Sequence, residues 1–432
     1  MQRTRLRLFC AAIFAMAGAS GLGCGAGDST GGPGGAGSGT GGSSGGGGST
    51  LSRALRVAGT SPANVHSATA ANLARAGRAS LVTTSGDSPS TLTVWNVSSD
   101  GTLQPSSSVA LPGVAEAVAT GDVDGDGNAD VVVGSIAAGS GQITVLQNMG
   151  GASLGIASTT AVAGGDLVQV ADLNADGRAD VVTASRATGG ITVLLGEADG
   201  SLQASGTWSL GASPTSLAMI DINGDGSLDL VAQTTAASTT DAAGSLAVLI
   251  GSGAGTFGST ASISSSGVVT VGGVALPIPA GVTLPTLDVA AKGSVGGSTL
   301  VSGDFNADGH ADLAISSAGS ITVLLGQGQG GFQASLTGAF DANNLASLDF
   351  EGNGQVDIVA AGGTSAGSSV SVLGAGASRS LQGLAQATVS GTDNGLVTGD
   401  FNGDGHVDVA VTTPSSITVL FNSDASASSS TR

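Results

Sequence analysis

The sequence predicts an all-β protein: a seven-bladed β-propeller built of four-stranded antiparallel blades. Three observations predict it. An acidic loop recurs six times along the 432 residues, an apolar strand of one kind recurs seven times, and the stretch ahead of the first repeat matches the strand type that the last repeat lacks.

The acidic loop is clearest at Gly121–Val133, GDVDGDGNADVVV, where Asp122, Asp124, Asp126 and Asp130 fall at positions 1, 3, 5 and 9 and Gly127 occupies position 6. Alternating carboxylates around a sharp turn suit a hard cation that takes oxygen ligands in irregular geometry, which points to Ca2+. Further copies place Asp172, Asn174, Asp176 and Asp180, then Asp221, Asn223, Asp225 and Asp229, then Asp304, Asn306, Asp308 and Asp312 at the same positions. A looser copy reads Asp349, Glu351, Asn353 and Asp357, and a regular one reads Asp400, Asn402, Asp404 and Asp408. Position 7 holds Asn128, Arg178, Ser227, His310, Gln355 and His406, a variability expected if only the backbone carbonyl faces the ion and the side chain points outward. These loops predict five or six Ca2+ ions.

An EF-hand opens in the same way but closes with Glu at position 12 and sits between helices. Here position 12 is Val133, Thr183 or Ala232, and the flanks are short Val-rich runs that read as strands.

The apolar strand appears at 91–95 (TLTVW), 142–146 (QITVL), 190–194 (GITVL), 245–249 (SLAVL), 320–324 (SITVL), 369–373 (SVSVL) and 416–420 (SITVL). Seven such strands require one repeat more than the acidic loops supply. The missing loop is Ala71–Thr84, ANLARAGRASLVTT, which aligns with ADLNADGRADVVTA at Ala171–Ala184 but has Arg75 and Arg78 in place of the acids, so it is expected to bind no ion. Each repeat then reads as an inner strand, the acidic turn, a second strand, a polar turn, the ITVL strand and an outer strand introduced as in Gly200–Gln203 or Gly330–Gln333. Four strands repeated radially are a propeller pattern. The seventh repeat lacks an outer strand, while Ala54–Pro62 resembles Thr207–Pro214, the outer strand leading into repeat four. The N-terminal strand is therefore expected to complete blade 7 and remove a free edge.

On these residues the repeats resemble the FG-GAP or VCBS repeats of integrin α-subunit propellers and their bacterial relatives, over residues 51–423. The resemblance implies seven blades with calcium between the first two strands of a blade, and partners meeting the opposite rim. No intact Phe-Gly-Gly-Ala-Pro stretch is present, Phe257-Gly258 being the nearest remnant.

Ahead of the repeats, residues 1–23 read as a lipoprotein-type export signal. Arg3, Arg5 and Arg7 precede an apolar stretch from Leu8 to Ala19, too short to span a bilayer, and Gly21–Gly23 leads into Cys24. Cys24 is the expected lipidation site, and an ordinary signal cleaved after Ala19 is the alternative. The expected location is the outer membrane or cell surface, otherwise periplasmic or secreted. The cysteines are Cys10 and Cys24, which leaves no disulfide for the repeats. Residues 24–50 have the Gly/Ser-rich composition of a flexible linker, and 424–432 that of a polar tail.

The spacing between ITVL-type strands is 47 to 55 residues, except for 75 between Val248 and Val323. This locates an insert at about 264–297, apolar and punctuated by Pro277, Pro279 and Pro285; it reads as an elongated outer hairpin or as a functional insertion.

Setting aside Arg3, Arg5 and Arg7 leaves 9 of the 12 basic residues against 31 acids, of which the acidic loops hold 19. The acidity thus follows the ligand sets, and nucleic acid is not an expected partner. Among His66, His310 and His406, the last two lie inside acidic loops, and neither a Ser/His/Asp set nor a zinc-type cluster can be assembled. Trp95 and Trp208 read as core residues, and with no Tyr an aromatic sugar platform is not expected. The reading is a calcium-binding, non-catalytic, monomeric module for protein or glycan interaction or adhesion, attached to a membrane through N-terminal lipid only. The alternatives are an enzyme acting on polysaccharide at turns such as Ser185–Gly190, Thr234–Ser245 and Thr413–Ser416, which offer Arg186 and Asp241, or a structural envelope spacer.

Overall fold

A computed structural model describes residues 53–424 apart from 75, 138, 235–244, 264–268, 272–273, 277–298, 318, 329–331, 341, 365–366 and 376–380. The expectations for the export signal, Cys24, the linker, the tail beyond 424, Arg75, Asp241 and most of the insert lie outside the described residues.

Seven antiparallel sheets follow one another along the chain. Their first strands are Ser67–Ala71, Val114–Gly121, Leu167–Ala171, Pro214–Ile220, Leu300–Gly303, Asn344–Leu348 and Gly395–Gly399. Each of these contacts the first strand of the sheet before and after it, and the last contacts the first, so the seven close into an inner ring. Blade 7 is completed by Arg53–Pro62, paired antiparallel with Ser416–Asp424 from Arg53↔Asp424 to Pro62↔Ser416. The predicted closure is the one observed, and it pairs what would otherwise be an open edge.

The core lies between the blades. Seven buried clusters each draw on two neighbouring blades, as where Val82, Leu92 and Val94 of blade 1 meet Val131, Val133 and Leu146 of blade 2. A second strand of a blade is therefore covered on both faces, which is why Ser80–Thr84 and Asp180–Ala184 are buried at every residue. Outermost strands such as Leu202–Ser209 alternate toward solvent instead. Trp95 and Trp208 pack against these clusters, as expected. Trp95 Nε1 donates to Thr83 Oγ1 at 2.9 Å, while Trp208 donates to the Phe257 carbonyl at 3.0 Å and meets the Phe257 ring edge-on.

A bulge recurs near the middle of the pairing between third and fourth strands, between Val94 and Trp95, Val145 and Leu146, Val193 and Leu194, and Val372 and Leu373. An extra residue there increases local twist, as a wheel of tilted blades requires. The described part of the insert is a hairpin: Val269–Val271 pairs with Ala261–Ile263, and Val274–Leu276 pairs back onto it, so that blade 4 has six strands.

Candidate metal centres

Each acidic loop joins the first and second strands of its blade. Position 6 takes a left-handed conformation in all six, with φ between 82° and 88° from Gly127 to Gly405, where a residue without Cβ carries no penalty. Position 4 is left-handed as well, at Gly125, Gly224, Gly352 and Gly403 but also at Ala175 and Ala307. The two reversals turn backbone amides toward the position 1 carboxylate. Asp122 accepts from the N–H of Gly125 at 2.8 Å and of Gly127 at 2.7 Å, and Asp400 does the same from Gly403 and Gly405.

Position 3 accepts from the N–H of position 5, as in Asn223 from Asp225 at 2.8 Å, and position 5 accepts from the N–H of position 7, as in Asp404 from His406 at 2.9 Å. Where position 3 is Asn, its amide also donates to the position 5 carboxylate, at 2.8 to 3.0 Å for Asn174, Asn223, Asn306 and Asn402. In the looser loop Asn353 instead donates to Glu351 at 3.1 Å.

Position 9 carries a second duty that the spacing did not reveal. Asp130, Asp180, Asp229, Asp312 and Asp408 are fully buried, and Asp357 nearly so. One oxygen of Asp130 accepts from Val123 N–H at 2.9 Å and the other from Asn148 N–H at 2.8 Å, tying the loop to the end of the third strand. Asp180, Asp229, Asp312 and Asp408 repeat this clasp with Gly196, Gly251, Gly326 and Asn422. Burial pushes these carboxyls up, to about 6 for Asp130, Asp180 and Asp229 and to about 7 for Asp312, Asp357 and Asp408, with neighbouring loop acids adding and the backbone donors opposing.

Position 2 was also overlooked, although its signal was present as an apolar residue in every repeat. Leu73, Val123, Leu173, Ile222, Phe305, Phe350 and Phe401 are buried between blades, so each loop plugs the core below it. Neighbouring loops touch. Ala179 N–H donates to the Asp122 carbonyl, and Ala79 N–H donates to the Asp400 carbonyl, each at 2.7 Å.

The position 7 side chains find partners of their own. Gln355 donates to the Phe305 carbonyl of the preceding loop at 2.7 Å, His406 lies 3.4 Å from a guanidinium nitrogen of Arg53 on the closing strand, and Arg178 reaches Asp176 and the Gly196 carbonyl. In blade 1 the ligand positions hold Asn72, Ala74, Ala76 and Ser80, so Arg78 falls at position 7 and does not replace an acid. Its side chain, guanidinium Nε included, lies beside Gly403 of blade 7.

The donor set fits calcium. The oxygens are carboxylate or amide, and in blade 2 Asp122, Asp124 and Asp130 each offer a carboxylate oxygen within 4.8 Å of the others. In the other acidic loops Asp172, Asp221, Asp304, Asp349 and Asp400 stand at the equivalent of Asp122, and Asn or Glu351 at the equivalent of Asp124. Away from these loops, His66 meets Glu116 at 3.5 Å on the opposite rim, where the backbone N–H of Arg186 donates to Asp166.

An FG-GAP-like repeat profile matches residues 77–133, 172–232 and 304–360, and an FG-GAP repeat profile matches 394–429. Among solved structures, BBS1N in complex with ARL6DN superposes with TM-scores of 0.55 in a lead-soaked crystal and 0.56 in a mercury-soaked one. The identities are 12% and 14%, and both alignments cover 86% of this chain and 98% of that one. An Agrocybe aegerita lectin specific for non-reducing terminal N-acetylglucosamine aligns at 19% identity and a TM-score of 0.46, over 74% of this chain and 81% of its own. At such identities the likeness to BBS1N shows the fold alone. No curated protein sequence matches the chain.

Proposed function

Since the chain is an FG-GAP repeat β-propeller, we propose that it is a calcium-stabilised, non-catalytic interaction module that presents one rim of its wheel to a protein or glycan. The observation that carries this reading is the set of six like-folded acidic loops, each with its position 9 carboxylate accepting from the position 2 N–H and, in five of them, also from the end of the third strand. Asp, Asn or, at Glu351, Glu side chains at positions 1, 3 and 5, the position 7 carbonyl and the position 9 carboxylate would hold the ion. Bound Ca2+ supplies positive charge to a turn otherwise crowded with carboxylates. The folding free energy is then linked to free calcium by mass action.

With the loops engaged in the scaffold, partner binding belongs to the other rim, formed by the turns between second and third strands and by the connections between blades. That BBS1N is found in complex with ARL6DN supports a propeller of this shape serving as a docking body. Anchoring through Cys24 at the outer membrane or cell surface completes the proposal, and it rests on the sequence ahead of the propeller. The test is capture from envelope extracts and on glycan arrays by the purified chain, in calcium and in EDTA. Binding without turnover that weakens in EDTA is expected, whereas release of a cleaved product would overturn the non-catalytic reading. Cys24→Ala is expected to move the protein from the membrane fraction to the soluble one.

A further inference from the structure

Arg178 gives the blade 3 loop a cation of its own. Its Nη2 pairs with Asp176 Oδ2 at 2.5 Å, while its Nε donates to the Gly196 carbonyl at 2.8 Å, so the guanidinium is fixed between the loop and the end of the third strand. Asn174 Nδ2 donates to the same Asp176 oxygen at 3.0 Å. One oxygen of a position 5 carboxylate therefore has two donors, one of them charged. The other five acidic loops lack this pairing: position 7 is Asn128, Ser227, His310, Gln355 or His406, and Asn128 reaches its Asp126 with a neutral amide.

The loops also differ in formal charge. Blade 2 has four carboxylates, Asp122, Asp124, Asp126 and Asp130, three of which already converge. Blade 3 has three, Asp172, Asp176 and Asp180, offset by one guanidinium. Ligand charge count is a main determinant of calcium affinity in oxygen-ligand loops.

We infer that calcium fills the six loops in a graded order, and that the charge of Arg178 makes blade 3 one of the weak steps, filling after the four-carboxylate loop of blade 2. The inference rests on the calcium reading above. A fixed unit charge beside a divalent ion is repelled in proportion to both charges. Because this pair is partly exposed, the repulsion is screened to about tenfold in affinity. Bound ion and Arg178 compete for Asp176, so filling blade 3 requires the guanidinium to give up one contact.

Native mass spectrometry of the full chain across stepped free Ca2+ counts ions and gives an affinity for each step. Arg178→Gln keeps most of the stem that packs beside Gly125 and removes the charge; one weak step is expected to tighten about tenfold with the others unchanged. Arg178→Lys keeps the charge and is expected to leave that step weak. Ser227→Arg, which places the same cation in blade 4, is expected to create a further weak step. An unchanged set of steps in Arg178→Gln, in a protein that still binds calcium, overturns the inference alone. Absence of any bound calcium in the unaltered chain overturns the calcium reading and the inference together.

Discussion

Asp130 shows how one carboxylate serves fold and site at once. It accepts two backbone N–H groups from segments that meet only in the folded blade, Val123 and Asn148, while lying fully buried. Replacing it with Ala leaves both donors without a partner. The expected loss is about 2–4 kcal/mol, the cost of two buried unsatisfied groups, measured by urea unfolding in EDTA, where ion binding makes no contribution. Asp130→Asn, which retains one acceptor oxygen, is expected to lose less. The positions of the donors explain why this duty was hidden in the sequence: spacing within a loop reveals which oxygens share a turn, but Asn148 lies a whole strand pair away. Titration gives a second expectation. Asp312, Asp357 and Asp408 are raised by burial to about 7, above the ordinary carboxyl value of 3.8 that the unfolded chain retains. Their contribution to stability is complete below 3.8 and is lost as pH climbs through the folded values. In EDTA the melting temperature is therefore expected to fall between pH 5 and pH 8. In saturating Ca2+, which favours the deprotonated form, this fall is expected to shrink or reverse.

Among the elements, strand identity was readable because burial differs systematically across a blade. Second strands are covered on both sides and read as unbroken apolar runs, as in Val131–Val133, whereas outer strands alternate. The closing strand was readable for a different reason: Arg53–Pro62 supplies the one strand type missing from the last repeat. The insert was not readable to the same degree. Without a counterpart in the other repeats, its length, apolar composition and prolines left two readings open, an elongated outer hairpin or a functional insertion, and the described portion is a hairpin added to the outside of blade 4. Removing residues 1–62 uncovers the whole edge of Ser416–Asp424. The expected result is self-association, seen as a concentration-dependent mass in light scattering, because an unpaired strand edge is a template for another chain.

The whole molecule is a ring of seven interfaces of the same kind, with the acidic loops touching around one rim. Ion removal is thus expected to lower the melting temperature of the wheel as a unit, without releasing one blade at a time. At a free concentration of 100 times the dissociation constant, each site contributes about 2.7 kcal/mol, so a cooperative shift of many degrees between millimolar Ca2+ and EDTA is expected in calorimetry. A melting temperature indifferent to EDTA contradicts a structural role for the ion. The pairing of Arg53 with Asp424 has one more consequence. The chain enters the wheel at the acidic-loop rim, and the closing strand runs from there toward the far rim. A load applied between the segment before Arg53 and a body held at the far rim is directed along this strand's axis. Its antiparallel pairs then resist together, as a glued overlap does, and do not open in turn like a zip.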